Sequence, residues 1–103
     1  MDCLMNDLLW ADPVADKDSP LTTGQVFNET RKTSVKFGLP VLQHLLDTEG
    51  LKTLVRAHQE QVDGYKFYRW RGEAEDPSCI TIFSAPNYCK HKNKGSIMQV
   101  TPG

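Results

Sequence analysis

Three polar residues of this 103-residue chain stand where chemistry could be done. His58 directly follows an apolar stretch that reads as a strand, and ligands of open α/β sheets gather at the carboxyl ends of strands. An imidazole there could bind a metal or relay a proton, or it could be one more polar residue of a surface loop. Arg31, between Thr30 and Lys32 at the entrance to another strand, could clamp a phosphate through two parallel hydrogen bonds; a solvated arginine is the plain alternative. Ser84-Ala85-Pro86-Asn87-Tyr88-Cys89 follows a third apolar run. Its small residues and proline make a sharp exit that would present Asn87 and Tyr88 at the rim of a sheet, unless the tyrosine merely packs on the surface. Cys89 has only Lys90, His91 and Lys92 near it in sequence and is a poor candidate for a nucleophile. The run Lys90 to Lys94 reads as a solvated basic loop, and Trp10 as either core or groove wall.

The elements that must position these residues follow from the apolar spacing. Leu4, Met5, Leu8 and Leu9 form a helical stripe over Cys3 to Trp10, with Asp2 as the sole cap candidate ahead of it. Asp12 to Gly24, with two prolines and three aspartates, reads as a loop. Phe27 to Phe37 carries a strand, with Val35 and Phe37 alternating against Ser34 and Lys36. Pro40 suits a first helical turn, and Gly50 suits a C-cap. Between them a helix buries Leu39, Leu42, Leu45 and Leu46. Leu51 to Ala57 is a second strand, with Leu54 and Val55 inside, so strand, helix and strand predict a right-handed βαβ unit. Tyr65 to Trp70, Ile80 to Phe83 and Ser96 to Val100 complete a strand-rich second half. The class expected is α/β with mixed sheets.

Composition sets outer limits. At 11.6 kDa there is room for one small domain. Twelve Lys and Arg against thirteen Asp and Glu give a net charge of −1, which argues against binding driven by nucleic-acid phosphates or an anionic membrane. No apolar run approaches a membrane span. Three cysteines without metal-type spacing make a disulfide framework or zinc knuckle a poor fit and favour a reducing, intracellular, cytoplasmic setting.

Taken in order, Leu8-Leu9-Trp10-Ala11-Asp12-Pro13, Arg56-Ala57-His58, Gly64-Tyr65 and Ser84 to Cys89 resemble the phosphoprotein phosphatase family of serine/threonine phosphatases. The resemblance covers nearly the whole chain. The separations between Arg31, His58 and Ser84, with the Arg71 to Ser78 insert and the aromatic Tyr65 to Arg69 stretch, fit calcineurin catalytic subunits better than shorter-hairpin members. Cys89 departs from that, since a leucine is usual there in calcineurin. The resemblance implies residues 1–103 to be the C-terminal segment of a calcineurin-like catalytic domain, part of a metallophosphatase β-sandwich flanked by helices. It implies hydrolysis of phosphoserine and phosphothreonine by a water activated at a dinuclear metal centre, iron with zinc, or manganese. His58 would be a ligand of the second metal, Arg31 the grip on the phosphoryl oxygens and Tyr88 the tyrosine edging the centre. Trp10 and Asp12 would line the groove. Implied partners are phosphoprotein substrates, the upstream half of the domain and, if truly calcineurin-like, a calcium-binding regulatory subunit and calmodulin.

The departures from the pattern are specific. Lys32 stands where the family has glycine, and the Lys90 to Lys94 loop is basic and one residue short where relatives are more often acidic or neutral. The Gly-Asp-x-His-Gly, Gly-Asp-x-Val-Asp-Arg-Gly and Gly-Asn-His-Glu motifs do not occur in the chain. One histidine cannot hold two metals, so the 103 residues alone are expected to be inactive and, lacking sheet partners, to aggregate or order only within a larger domain. The competing expectation is a truncated, non-catalytic binding or scaffold module derived from a phosphatase.

Overall fold

The structure is a computed structural model that describes residues 3–103; Met1 and Asp2, the cap candidate, lie outside the described residues. Helix α1, Cys3–Trp10, forms on the apolar stripe. The stretch read as a loop contains a two-residue strand, β1 (Asp12–Pro13), and a single 3₁₀ turn, Asp16–Asp18. Strands β2 (Gln25–Phe27) and β3 (Val35–Phe37) are separate, joined by a tight turn. Helix α2 (Leu39–Glu49) has Pro40 in its first turn and ends at Gly50, whose left-handed φ of 66° lets the Leu51 N–H reach the Leu46 carbonyl at 2.8 Å. Then come β4 (Leu54–Arg56), β5 (Tyr65–Tyr68), β6 (Cys79–Ile82) and a 3₁₀ turn at Tyr88–Lys90.

These strands make two mixed three-stranded sheets, ordered β1-β3-β2 and β4-β6-β5. The fold class is therefore the mixed α/β expected, but the βαβ unit is not formed. Strand β3 is central in its sheet, parallel to β1 and antiparallel to β2, so it has no free edge for β4. Helix α2 instead hands the chain to the second sheet, where β4 runs parallel to β6. Leu42 and Leu46 are buried against Tyr68, Trp70 and Cys79, with Phe37 and Leu39 packed alongside, so the helix joins the sheets through the core. Burial of each such side chain is worth about 1.5–3 kcal/mol.

Three local expectations fail. Leu45 and Val55, placed inside by periodicity, are exposed. Leu45 lies off the narrow Leu42–Leu46 stripe, and Val55 points to the face of its sheet away from α2. Ser96 to Val100 forms no strand. Only Ser96 docks, its N–H donating to the Phe83 carbonyl at 3.0 Å and its hydroxyl to that of Gly64. That docking needs Gly64: at φ 84°, a Cβ there would stand 2.8 Å from Gly95 and Ser96 backbone atoms.

Candidate phosphate-binding site

Asp12, Arg31, His58 and Tyr88 line one cavity of about 490 Å³. The first two come from the β1-β3-β2 sheet and its turn, the others from the exits of β4 and β6. Residues brought from four segments thus meet where the two sheets abut.

Asp12 is the anchor. It is 2% exposed, and both carboxylate oxygens are bonded. Oδ2 accepts from Arg31 Nε at 2.9 Å and Asn28 Nδ2 at 2.9 Å; Oδ1 accepts from Arg56 Nη2 at 2.8 Å and Arg31 Nη2 at 3.3 Å. Burial by itself pushes the carboxyl up, but the bonds from Arg31 and Asn28 and the charges of Arg31 and Arg56 outweigh it and hold the group below the usual aspartate range. One carboxylate between two guanidinia leaves the cluster cationic, which suits an anionic ligand.

The Arg31 side chain is fixed at several points. The turn that carries it is closed by Asn28, whose Oδ1 accepts the Arg31 N–H and whose carbonyl accepts the Lys32 N–H, with Lys32 and Ser34 in left-handed conformations. The guanidinium lies 5.5 Å from the Trp10 ring and also donates from Nη2 to the His58 carbonyl. Its Nη1 makes no hydrogen bond among the described residues.

His58 has a φ of 77°, unusual for a residue with a Cβ. That single left-handed step presents its carbonyl to Arg31 and its ring to the end of α1. Nδ1 lies 2.7 Å from the Leu9 carbonyl, which can only accept, so Nδ1 donates there and Nε2 makes no hydrogen bond among the described residues. The ring also packs on Trp10, centroids 5.0 Å apart. The carbonyls ending α1 are thereby met by side chains: Leu9 by His58, Trp10 by Asn28 and Ala11 by Arg56. Trp10 does not line the cavity; it supports His58 and Arg31 from behind.

Tyr88 packs edge-on against Phe83 with centroids 5.3 Å apart, and its N–H donates to Asn93 Oδ1 at 2.7 Å. Asn93 is buried, donates to the Ala85 and Lys94 carbonyls at 2.8 and 3.0 Å, and accepts the Asn87 N–H on its own carbonyl. Sequence reasoning missed this residue, together with Asn28 and Arg56. Arg56 is the most informative omission. From β4 it reaches Asp12 on β1, Thr81 on β6 at 2.9 Å and Gln59 at 2.6 Å, so it ties the two halves of the cavity together. Its place two residues after Leu54, hence on the same inward strand face, was the available signal.

A metal would find one donor here. His58 Nε2 is positioned for it, whereas Asp12 is consumed by arginines and Glu60 accepts from His91 at 2.7 Å. Among the described residues no group of three or more His, Cys, Asp or Glu could hold an ion. The residues present offer a single donor and not a complete ligand set.

No protein-family model matches the chain. It is 36% identical over 105 aligned residues to the serine/threonine-protein phosphatase 2B catalytic subunit A1 of Saccharomyces cerevisiae, an alignment that covers 93% of this chain and 19% of the relative. Among solved structures, a protein serine/threonine phosphatase from Saccharomyces cerevisiae with similarity to human phosphatase PP5 superposes with a TM-score of 0.61 at 26% identity. That match covers 82% of this chain and 22% of the other, so the chain spans about a fifth of the length of these relatives.

Proposed function

We propose, from the premise that this chain belongs over the stretch it spans to the phosphoprotein phosphatase family of serine/threonine phosphatases, that its cavity is the part of a protein phosphatase site that grips the phosphoryl group of phosphoserine or phosphothreonine. The observation that carries the reading is the meeting of Arg31, His58 and Tyr88 in one cavity above a buried Asp12. Arg31, oriented by Asp12 and by the His58 carbonyl, offers Nη1 to phosphoryl oxygens as a charge-assisted donor. Tyr88 places its ring at the cavity edge, and His58 offers Nε2 as one metal ligand. The other ligands of an iron, zinc or manganese pair come from outside these 103 residues, and this chain's own part is to bind and orient the phosphate. The likeness to a phosphatase 2B subunit supports the calcineurin-like reading, with a calcium-binding regulatory subunit, calmodulin and a cytoplasmic location as its corollaries. No helix among the described residues is long and apolar enough to cross a membrane.

A second reading, a phosphate-recognising module without turnover, draws on the single metal donor. Calorimetric titration of the chain with inorganic phosphate and with Mn²⁺ tests the assignment. Arg31→Ala should weaken phosphate binding by about 2–4 kcal/mol if its bonds are charge-assisted. Mn²⁺ should bind the chain only weakly, through its one donor, and His58→Gln should remove that binding and spare phosphate. If both variants bind both ligands as the parent does, the residue roles are wrong; turnover of a phosphopeptide by the purified chain alone would overturn the claim that ligands come from elsewhere.

A further inference from the structure

The lysines after Tyr88 take no part in the phosphate grip. Lys90, Lys92 and Lys94 are exposed, and none of them forms an ion pair among the described residues. The loop that bears them is nonetheless built. Asn87, Cys89, Lys90 and Lys92 take left-handed conformations, with φ between 49° and 66°. Asn93 closes the base from inside, and Asn87 Oδ1 accepts the Lys92 N–H at 3.1 Å. The loop is fixed to the cavity twice. Tyr88 lines the wall, and His91 Nδ1 bonds the Glu60 carboxylate, which also lines it. Lys36, beside Asp12 in the β1–β3 ladder, adds a further cation to the lining.

The nearby carboxylates do not balance this charge. Asp12 is shared by two arginines and Glu60 is engaged by His91. Asp7 and Glu29, exposed at the Arg31 turn, and Asp63, next to the Val62 carbonyl that accepts the Lys94 N–H, are carboxylates there without an ion pair among the described residues. A chain of net charge −1 therefore gathers cations on one loop tied to the cavity wall, with Arg31 and Lys36 in the lining itself. Such a group of cations attracts and orients acidic chains and repels basic ones.

We propose that Lys90, Lys92 and Lys94 select phosphoprotein segments with acidic residues within a few positions of the phosphorylated one. The selection rests on the phosphate-binding reading of the cavity, because the phosphate fixes where the flanking residues fall.

Fluorescence anisotropy of the full 103-residue chain with four labelled dodecapeptides tests it: phosphoserine flanked by three glutamates, by three glutamines or by three lysines, and the glutamate peptide with unmodified serine. The glutamate phosphopeptide should bind about fivefold to tenfold more tightly than the glutamine one, the size expected of three screened surface contacts. The lysine peptide should bind most weakly, and the preference should shrink below about twofold at 0.5 M salt. The combined K90Q, K92Q, K94Q variant should erase the preference while keeping the affinity for the glutamine phosphopeptide. The K90R, K92R, K94R variant should retain it. Equal binding of all three phosphopeptides, or a preference that survives the glutamine variant, overturns the inference and leaves the phosphate site standing. Equal binding of the glutamate peptide with and without phosphate overturns the phosphate-binding reading and the selection with it.

Discussion

Replacing Asp12 by asparagine keeps the shape of the side chain and removes the charge that holds two guanidinia. The expected cost follows from the burial. Asp12 is almost fully enclosed, while Arg31 and Arg56 side chains are 21% and 12% exposed, so each arginine regains only part of its hydration when the carboxylate is lost. Breaking a fully buried pair costs about 3–5 kcal/mol, and an exposed pair at most about 1. The cluster sits between, nearer the first, and about 3 kcal/mol is the expected destabilisation. For a domain of this size that lowers Tm by about 12–24 °C. Urea denaturation followed by the fluorescence of Trp10 and Trp70 measures it directly. The pH dependence gives an independent check. A carboxyl held below its unfolded value contributes stability that is complete above about pH 4 and fades as pH falls through the lower folded value. The parent should therefore lose stability in acid faster than the asparagine variant, and the gap between them should close. A variant within about 0.5 kcal/mol of the parent at pH 7, or one with an unchanged acid limb, would refute the assignment of Asp12 as the anchor.

Gly64→Ala should destabilise by about 1–3 kcal/mol in the same assay, because φ is left-handed and the new Cβ meets backbone at 2.8 Å. With a disulfide reagent, Cys3 and Cys89 should react at once and Cys79 only on unfolding, since burial pushes its thiol up to about 12 and shields it. Prompt reaction of all three thiols would contradict the packing of β6. The apolar residues left at the surface, among them Leu8 at 74%, Ile97 at 90% and Val100 at 81% exposure, should make the isolated chain self-associate at micromolar concentration, as light scattering behind a sizing column would report. A monodisperse monomer would contradict the expectation that the chain orders only within a larger domain and would favour the binding-module reading.

The residues that could be read from sequence were those whose chemistry is carried by a local string. Arg31, His58 and Tyr88 each sit in a short run with its own turn or strand exit, and the structure brings all three to one cavity. Asn28, Arg56 and Asn93 escaped because their importance lies in partners far along the chain or hidden in a loop. Arg56 and Asp12 are 44 residues apart, and nothing in the neighbourhood of either announces the pair. Element type was similarly easier than element partner. Alternation identified β3 and an apolar run identified β4, but β3's edges are filled by β1 and β2, which lie in or beside a stretch rich in prolines and aspartates. The apolar pair Ile97 and Met98 promised a strand, but beyond Ser96 the segment makes no ladder among the described residues.

The hydrogen bonds of Asn93 divide the segment after β6 into a frame and an insert. Tyr88, Ala85 and Asn87 are fastened to that one buried amide and its backbone, and the Lys90, His91 and Lys92 N–H groups return to Asn87 and Tyr88, which leaves the side chains of Cys89, Lys90 and Lys92 to project from the closed base. Side-chain composition at those positions can therefore drift without moving the tyrosine, much as an antibody loop varies on a constant scaffold. Descent with modification would meet little resistance at those positions and strong resistance at Asn93. Retargeting by loop exchange is the practical corollary: acidic or neutral inserts grafted between Tyr88 and Asn93 should change which flanking sequences are admitted while the phosphate grip stays as it is.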